Sequence, residues 1–221
     1  DEGKDGEAFT RQQYACFREA VARLEQSGIR FSIHHCANSG AVMDYPELDF
    51  DMVRPGIILY GLMPSDKIRR TLDLVPAMEL KTVISLLKTV EPGTSVSYGC
   101  EFVTSRRTVL ATVPIGYADG YPRRLHDRAD MLVCGKRARV VGRVCMDQLM
   151  LDVTDIPEAK PGMTVTVWGR DGGGEIGVDE IAALDDTINY EMICLVGKRV
   201  PRIFLRGGKP VGQLNYICPE E

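Results

Sequence analysis

The sequence lacks any long hydrophobic run, and its apolar stretches are as short as GIILYG. A membrane-spanning helix needs about 20 consecutive apolar residues, so we expect no membrane segment. A basic excess is also missing, because the formal net charge is −4 and no cluster of Lys and Arg dominates. That balance argues against a nucleic-acid partner. The first residues, DEGKDGEAF, show none of the regions that a signal peptide carries.

Cysteine and histidine are too few and too irregularly placed for a disulfide framework or a metal centre. The seven cysteines are an odd number, and no C-x-x-C pair occurs among them. This pattern is typical of a reduced, cytoplasmic protein. His34, His35 and Cys36 are adjacent, which is not a metal-ligand spacing, and no second ligand pair follows. We therefore predict no disulfide, no metal and a cytoplasmic location.

The first 75 residues carry the alternation of helix and strand that builds a parallel sheet. Residues 7–27 place apolar side chains at helical spacing. The run IRFSIHHCANS then predicts a strand, AVMDYPELD a short helix and MVRPGIILYG a second strand. Two strands are too few to bury both faces of a parallel sheet, and a complete (β/α) barrel takes roughly 250 residues. We therefore expect further barrel residues before Asp1.

The composition changes after about residue 75. Segments rich in Val and Thr are broken by Gly and Pro, which predicts a mainly antiparallel β domain over residues 76–221. CGKR is predicted as a hairpin turn and RDGGGE as a flexible loop. VDEIAALDD and INYEMICLVG are predicted as short helices near the end of the chain.

Two segments of the first part end in residues that suit an anion. Ser39 follows the first predicted strand and the pair Gly56–Ile57 the second, so a hydroxyl and backbone N–H groups could converge as in barrel phosphate sites. The alternative for Ser39 is a helix N-cap. Arg54 lies in the apolar second strand, where a buried guanidinium needs a partner such as His34 or His35. The alternative is an arginine on an exposed face.

The second part presents tyrosines beside glycines. Tyr117 opens the run YADGY directly after a predicted strand, so it belongs either to a plain turn or to a phenol held for proton chemistry. A structural role is favoured for Tyr121, while the role of Tyr98 in VSYG stays open. Cys145 is expected to be a packing residue, because no His–Asp pair accompanies it.

Six short motifs stand in order along the chain: HHCANSG, MVRPGIILYG, VSYG, IGYADGYPR, GRVCMDQ and INYE. In this order and at these separations they resemble the alanine racemase family, whose members interconvert L- and D-alanine with pyridoxal 5'-phosphate. The resemblance implies a (β/α)8 TIM-type barrel followed by a mainly antiparallel β domain. Residues 1–75 would be the C-terminal portion of the cofactor-binding barrel and residues 76–221 the β-rich domain. It also implies a supply of D-alanine for cell-wall peptidoglycan.

The resemblance implies cofactor contacts for six residues. Arg54 resembles the arginine that faces the pyridine nitrogen, where its positive charge keeps that nitrogen unprotonated. His35 resembles the histidine that hydrogen-bonds this arginine. The residues that resemble the family's phosphate ligands are Ser39, Gly56, Ile57 and Tyr190.

The resemblance also implies how the substrate is handled. Tyr117 resembles the base that exchanges a proton with one face of the α-carbon, and Met146 the residue whose backbone N–H meets the substrate carboxylate. Arg143 and Arg202 resemble basic residues of the substrate entrance, or are ordinary surface arginines. In the family the tyrosine reaches into the neighbouring subunit, which implies an obligate homodimer with shared active sites.

One family feature is missing from these residues. The cofactor lysine lies in a stretch like K-A-x-A-Y-G-H-G, and none of the eight lysines has that context. We therefore expect this lysine, the second base, upstream of a chain that is the C-terminal part of a racemase and is inactive alone. Two alternatives stay open. One is a serine or broad-specificity amino-acid racemase, against which the bulky Tyr190 argues; the other is an inactive fragment.

Overall fold

The computed structural model of the chain describes residues 3–70 and 72–218. The chain divides into two compact units, Asp1–Met78 and Glu79–Glu221. The first unit begins with helix α1, Gly3–Gln26, which confirms the helix predicted for 7–27 and extends it at its start. Tyr14 and Phe17 of this helix pack on Phe50, with ring centroids 5.0 and 5.3 Å apart.

The two strands predicted in the first unit are wrong as regular strands. The segments meet at a single parallel bridge between Asn38 and Arg54, and residues Ile57–Tyr60 form a 3-10 helix instead. A strand persists only where a neighbour satisfies its backbone N–H and C=O groups. Among the described residues, only two backbone–backbone hydrogen bonds join the segments, from Asp51 N–H to His34 O and from Arg54 N–H to Ala37 O. The parallel direction of the bridge still matches a βα unit.

The short helix between these segments is confirmed. Helix α2 spans Ser39–Asp44, and a 3-10 turn, Pro46–Leu48, follows it. The buried Asp44 carboxylate accepts the backbone N–H groups of Arg69 and Arg70 at 2.9 and 3.0 Å. This contact fastens the end of α2 to the later part of the first unit.

The second unit is built on an eight-stranded sheet in which all neighbours are antiparallel. Its strands are β1 (Leu80–Val83), β2 (Leu86–Val90), β5 (Thr108–Val113), β6 (Asp130–Val133), β7 (Lys136–Val141), β8 (Leu149–Asp152), β9 (Thr164–Asp171) and β10 (Gly174–Ile176). Two further hairpins pair β3 (Ser95–Val96) with β4 (Phe102–Val103), and β11 (Arg202–Arg206) with β12 (Lys209–Leu214).

The strand order β1-β9-β6-β7-β8-β5-β2 bends the large sheet on itself. Strands β1 and β2 stand at opposite ends of this order, yet only Ile84 and Ser85 separate them along the chain. The two edges must therefore approach each other, as in a barrel. The interior is filled by fully buried side chains such as Trp168, Leu149 and Leu151.

Turn chemistry agrees with the predictions for this unit. Cys134 and Gly135 join β6 to β7 with φ of +52° and +73°, the pair of positive values that a two-residue hairpin turn needs. The loop predicted for RDGGGE is shorter than expected, because residues 170–171 end β9, residues 174–175 begin β10, and Gly172 and Gly173 form the turn between them. The predicted helices are α3, Val178–Asp185, and α4, Asn189–Leu195.

Candidate active site

Ser39 and Gly56 come together at the start of α2. The Gly56 N–H donates to Ser39 Oγ at 2.9 Å, and Ser39 is only 4% exposed. Within residues 3–70 and 72–218, the hydroxyl hydrogen of Ser39 and the N–H of Ile57 have no acceptor. A Cβ built on Gly56 would meet nothing within 4 Å, so the space beside this backbone is open. The arrangement presents hydrogen-bond donors suited to an anion.

The N-cap of α2 is Asn38. Its Oδ1 accepts the Ala41 N–H at 3.0 Å, and its φ of −93° is extended. The alternative that Ser39 is the cap is therefore wrong. Ser39 is the first helical residue of α2, and its hydroxyl oxygen accepts the Gly56 N–H instead of capping the helix.

Arg54 lies beside this group and is exposed. Its Nη2 donates to the Cys36 carbonyl oxygen at 3.0 Å. Of the histidines proposed as its partners, His34 pairs instead with Asp51, with Nδ1 and Oδ2 3.0 Å apart. In the described part of the chain no hydrogen bond joins His35 to Arg54, and His35 is exposed. The exposed position anticipated as the alternative for Arg54 is the observed one.

Tyr117 is 44% exposed and opens a 3-10 turn, Tyr117–Asp119. Its N–H donates to the Cys145 carbonyl oxygen at 3.1 Å, and the Ala118 N–H donates to the Met146 carbonyl oxygen at 3.0 Å. Gly116 makes this approach possible, since a Cβ there would lie 2.3 Å from both carbonyl oxygens. The fold therefore brings Tyr117 and Met146 together.

Met146 itself is 52% exposed. Its carbonyl oxygen is occupied by Ala118, whereas its own N–H has no partner among the residues that the structure describes. A free backbone donor thus lies beside the Tyr117 turn. Such a donor is suited to a carboxylate.

Charged side chains fix this turn. The Asp119 carboxylate accepts the Gly116 N–H at 2.9 Å. Arg199 then bridges Asp119 and Asp147, with nitrogen–oxygen distances of 3.4 and 2.7 Å. The hydrogen bond to Asp147 raises the pKa of the Arg199 guanidinium. The YADG turn and the segment after Cys145 are therefore held as one piece.

A second exposed tyrosine, Tyr98, is flanked by residues with positive φ. Tyr98 is 71% exposed. It lies between Ser97, with φ +66° and ψ −173°, and Gly99 and Cys100, with φ of +80° and +51°. Non-glycine residues in such regions cost about 1–3 kcal/mol each and cluster at functional sites. The role of Tyr98 stays open from the sequence, because glycine favours a positive φ at Gly99 but the residue types of Ser97 and Cys100 do not.

The remaining candidates have structural contacts. Tyr121 is fully buried, which confirms its structural role. Arg202 donates to the carbonyl oxygens of Val196, Gly197 and Val200, so it is not free for a ligand. Cys145 is half-buried.

Tyr190 and Arg143 are the last two candidates. Tyr190 lies half-buried in α4. Arg143 forms a bidentate pair with Glu101.

Across residues 3–70 and 72–218, no group of three or more His, Cys, Asp or Glu side chains is arranged to hold a metal ion. Within the same residues, no helix has both the length and the apolar character needed to cross a bilayer.

Two family models cover most of the chain. Residues 77–204 match the alanine racemase C-terminal domain, and residues 1–64 match the alanine racemase N-terminal domain. The chain belongs to the alanine racemase family. The resemblance inferred from the six motifs is thus confirmed, and so is the predicted fold class of a barrel portion followed by a mainly antiparallel β domain.

Curated and solved relatives carry the same family name. Alanine racemase from Desulforamulus reducens is 51% identical over 199 residues, which cover 90% of this chain and 53% of that protein. The crystal structure of alanine racemase from Bacillus anthracis with bound L-Ala-P superposes with a TM-score of 0.89 at 41% identity, covering 95% of this chain and 54% of that one. That of Bartonella henselae with covalently bound pyridoxal phosphate gives 0.76 at 29% identity, covering 89% and 52%. The chain therefore spans about half the length of its relatives.

Proposed function

We propose that the whole protein containing this chain interconverts L-alanine and D-alanine with pyridoxal 5'-phosphate. The observation that carries the proposal is the exposed Tyr117 phenol, which a glycine-flanked turn presents beside the free backbone N–H of Met146 in a chain of this family. The same proposal implies a cytoplasmic enzyme that supplies D-alanine for peptidoglycan.

The donor set around Ser39 fits the cofactor's phosphate. The hydroxyl of Ser39 and the N–H of Ile57 are directed at no other group of the described chain, and Gly56 leaves the space open. We assign these three residues, with Tyr190, to the phosphate. When bound, the cofactor supplies the electron sink that makes the α-proton of an amino acid removable.

Arg54 and His35 complete the proposed cofactor contacts. Arginine carries a positive charge at neutral pH, and among residues 3–70 and 72–218 the one hydrogen bond of the Arg54 guanidinium runs from Nη2 to the Cys36 carbonyl oxygen. The free side of the guanidinium can face the pyridine nitrogen and keep that nitrogen unprotonated. His35 would orient the arginine only after a rotation toward it, because the two are not hydrogen-bonded in this structure.

Substrate binding and proton exchange are assigned to the second unit. The free N–H of Met146 would hold the substrate carboxylate, and the neighbouring Tyr117 phenol would exchange the α-proton on one face. Tyr98 is a second exposed phenol of this unit and has no assigned role. The opposite face would use a lysine upstream of this chain, and Tyr117 would serve a neighbouring subunit of a homodimer.

Alanine is favoured over the alternative substrates. The relatives and solved structures are alanine racemases, and the bulky Tyr190 would leave space for a methyl side chain rather than a larger group. If the upstream lysine is lacking, the protein would instead be inactive. Comparing kcat/KM for alanine and serine separates the first two options, since equal values would contradict the alanine preference.

The decisive experiment follows α-hydrogen exchange in heavy water. The whole protein loaded with pyridoxal 5'-phosphate is given L-alanine or D-alanine separately, and both exchange and inversion are measured by NMR and chiral chromatography. Removal of the true base should abolish inversion and slow exchange from one enantiomer only, because the opposite base still acts. Tyr117→Phe and Tyr98→Phe are compared with Tyr216→Phe, an exposed tyrosine with no assigned role.

The outcomes test the assignment of the base. Loss in Tyr117→Phe alone supports Tyr117 as the base, and loss in Tyr98→Phe alone would contradict that assignment. Unchanged inversion in both variants would contradict a tyrosine base, and no inversion by the unaltered protein would contradict the proposed function.

A further inference from the structure

We propose that Arg199 is a positioning residue that fixes the Tyr117 phenol relative to the substrate-binding N–H of Met146. It does so by bridging two carboxylates, Asp119 of the YADG turn and Asp147 next to Met146. The proposal rests on the proposed racemisation and on Tyr117 as its tyrosine base. Arg199 lies outside all six sequence motifs, between α4 and β11.

The first support of the Tyr117 turn is the segment 145–147. The N–H groups of Tyr117 and Ala118 donate to the carbonyl oxygens of Cys145 and Met146 at 3.1 and 3.0 Å. Because these two bonds come from adjacent residues, they form a single line of attachment, about which the turn can rock. Tyr117 is 44% exposed, so its side chain has little packing to oppose this motion. The bonds to this segment alone therefore do not fix the phenol.

The second support of the turn is the segment 195–202. The Gly197 N–H donates to the Asp119 carbonyl oxygen at 2.9 Å. Arg202 stiffens this segment, because its guanidinium donates to three of the segment's own carbonyl oxygens. The second support can stop the turn from rocking only if it is itself tied to the first support.

Arg199 of the second support supplies this tie and contacts the turn as well. Its Nε lies 3.4 Å from Asp119 Oδ1 in the turn, and its Nη2 lies 2.7 Å from Asp147 Oδ1 in the first support. The other Asp119 oxygen accepts the Gly116 N–H at 2.9 Å, so the turn itself orients this carboxylate. A guanidinium suits such a bridge, because its nitrogens are held in a rigid, planar fork. The turn and its two supports are thereby linked in a closed set of contacts.

The charges argue against Arg199 as a binding residue for the substrate carboxylate. One guanidinium faces two carboxylates, so the bridge as a whole carries a net negative charge and does not attract an anion. The side chains of Arg199 and Asp147 are 46% and 57% exposed. Ion pairs exposed to this degree contribute little to stability. Loss of Arg199 should therefore loosen the turn without unfolding the second unit.

The first measurement reports directly whether Arg199 holds the turn. Hydrogen exchange of the amides in residues 115–121 is followed by mass spectrometry in the whole protein loaded with pyridoxal 5'-phosphate. Arg199→Ala should raise their exchange rate at least several-fold, and Arg199→Lys should give an intermediate rate, because lysine keeps the charge but lacks the fork. The control is Arg106→Ala, which removes an exposed pair with Asp155 elsewhere in the same unit. Circular dichroism checks that each variant is folded.

The second measurement tests whether Arg199 acts through Tyr117, by following α-hydrogen exchange from each enantiomer of alanine in heavy water. A misplacement of about 1 Å costs about 100-fold in rate, so Arg199→Ala should slow exchange roughly 10- to 100-fold from the enantiomer whose proton Tyr117 removes. Exchange from the other enantiomer should change less than about 3-fold, because the opposite base is untouched. In a Tyr117→Phe background Arg199→Ala should have an effect of less than about 3-fold, because coupled residues are not additive.

A double variant separates position from charge. Arg199→Ala leaves both carboxylates without their cation, and this added negative charge would also disfavour ionisation of the phenol. Adding Asp147→Ala restores the net charge of the site but not the bridge. The double variant should therefore stay as slow as Arg199→Ala, and recovery to within about 3-fold of the unaltered protein would overturn the positioning role. Asp147→Ala alone breaks the bridge at its exposed end, and it should reproduce both effects if Arg199→Ala does not fold.

Each failure has a distinct meaning. Unchanged amide exchange in residues 115–121, equal slowing from both enantiomers, or full additivity with Tyr117→Phe would overturn the positioning role. Unchanged inversion in Tyr117→Phe would also overturn it, together with the assignment of the base. Absence of racemisation in the unaltered protein would contradict the proposed function, and the amide exchange would still decide whether Arg199 holds the turn.

Discussion

Substituting Gly116 with alanine should destabilise the second unit through a steric clash alone. The φ of Gly116 is −152°, an extended value that alanine adopts without strain. The added Cβ, however, would lie 2.3 Å from the carbonyl oxygens of both Cys145 and Met146. Either the YADG turn moves away and loses its two hydrogen bonds to these carbonyls, or the clash remains.

Both responses carry a similar free-energy cost. Two lost backbone hydrogen bonds amount to about 2 kcal/mol, and overpacking costs about 1–3 kcal/mol. We therefore expect Gly116→Ala to lower the free energy of unfolding by about 1–3 kcal/mol. With a typical urea m-value near 2 kcal/mol/M, the midpoint should fall by about 0.5–1.5 M.

The assay uses the single tryptophan of the chain, Trp168, which is buried in β9 and reports unfolding of the second unit. Gly173→Ala is the matched control, because a Cβ there would meet nothing within 4 Å and its φ is outside the left-handed region. The control should change the free energy of unfolding by no more than about 0.5 kcal/mol, which leaves the midpoint within about 0.25 M. Equal midpoints for the two variants would refute the close approach at Gly116.

Two further predictions concern a buried phenol and the anion site. Burial raises the pKa of Tyr121 above its ordinary value of 10, so above pH 10 the unfolded chain loses a proton that the folded chain keeps. Stability should then fall by about 1.4 kcal/mol per pH unit from this group, and Tyr121→Phe should remove that part of the alkaline loss in urea titrations at pH 8 and 10.5; an identical loss in both proteins would contradict it. Ser39→Ala should weaken pyridoxal 5'-phosphate binding roughly 10- to 100-fold in a fluorescence titration, because a hydrogen bond to a charged group is worth about 1.5–3 kcal/mol; unchanged affinity would contradict the assignment.

Local signals predicted the helices and turns of this chain well. The apolar spacing of 7–27 is a property of the segment itself, and it appears as α1. The turn at Cys134–Gly135 was equally readable, because glycine supplies one of the two positive φ values. The strands predicted around His34 and Arg54 failed for a different reason. A strand depends on its neighbours, and these two segments pair with each other at only one bridge.

The geometry of the proposed anion site was predictable in part. Ser39 and Gly56 were expected to converge because each follows a segment of the same βα unit, and they do so at 2.9 Å. The sequence could not assign the cap, since Asn38 and Ser39 are both good N-cap residues. It also paired Arg54 with a histidine on the assumption of burial, whereas Arg54 is exposed and is satisfied by the Cys36 carbonyl.

The backbone conformation around the two exposed phenols could be predicted from the sequence only in part. Tyr117 attracted attention because flanking glycines are visible in the sequence, but Gly116 and Gly120 serve to seat the turn against neighbouring carbonyls. The rarer conformations belong to Ser97 and Cys100, which carry no sequence signal for positive φ. Both loops dock on the segment from Gly142 to Met146, one through Arg143 and the other through the carbonyls of Cys145 and Met146. A shared support therefore places both phenols, and the proposed assignment of the base to Tyr117 rests on the docking of its turn beside the free N–H of Met146.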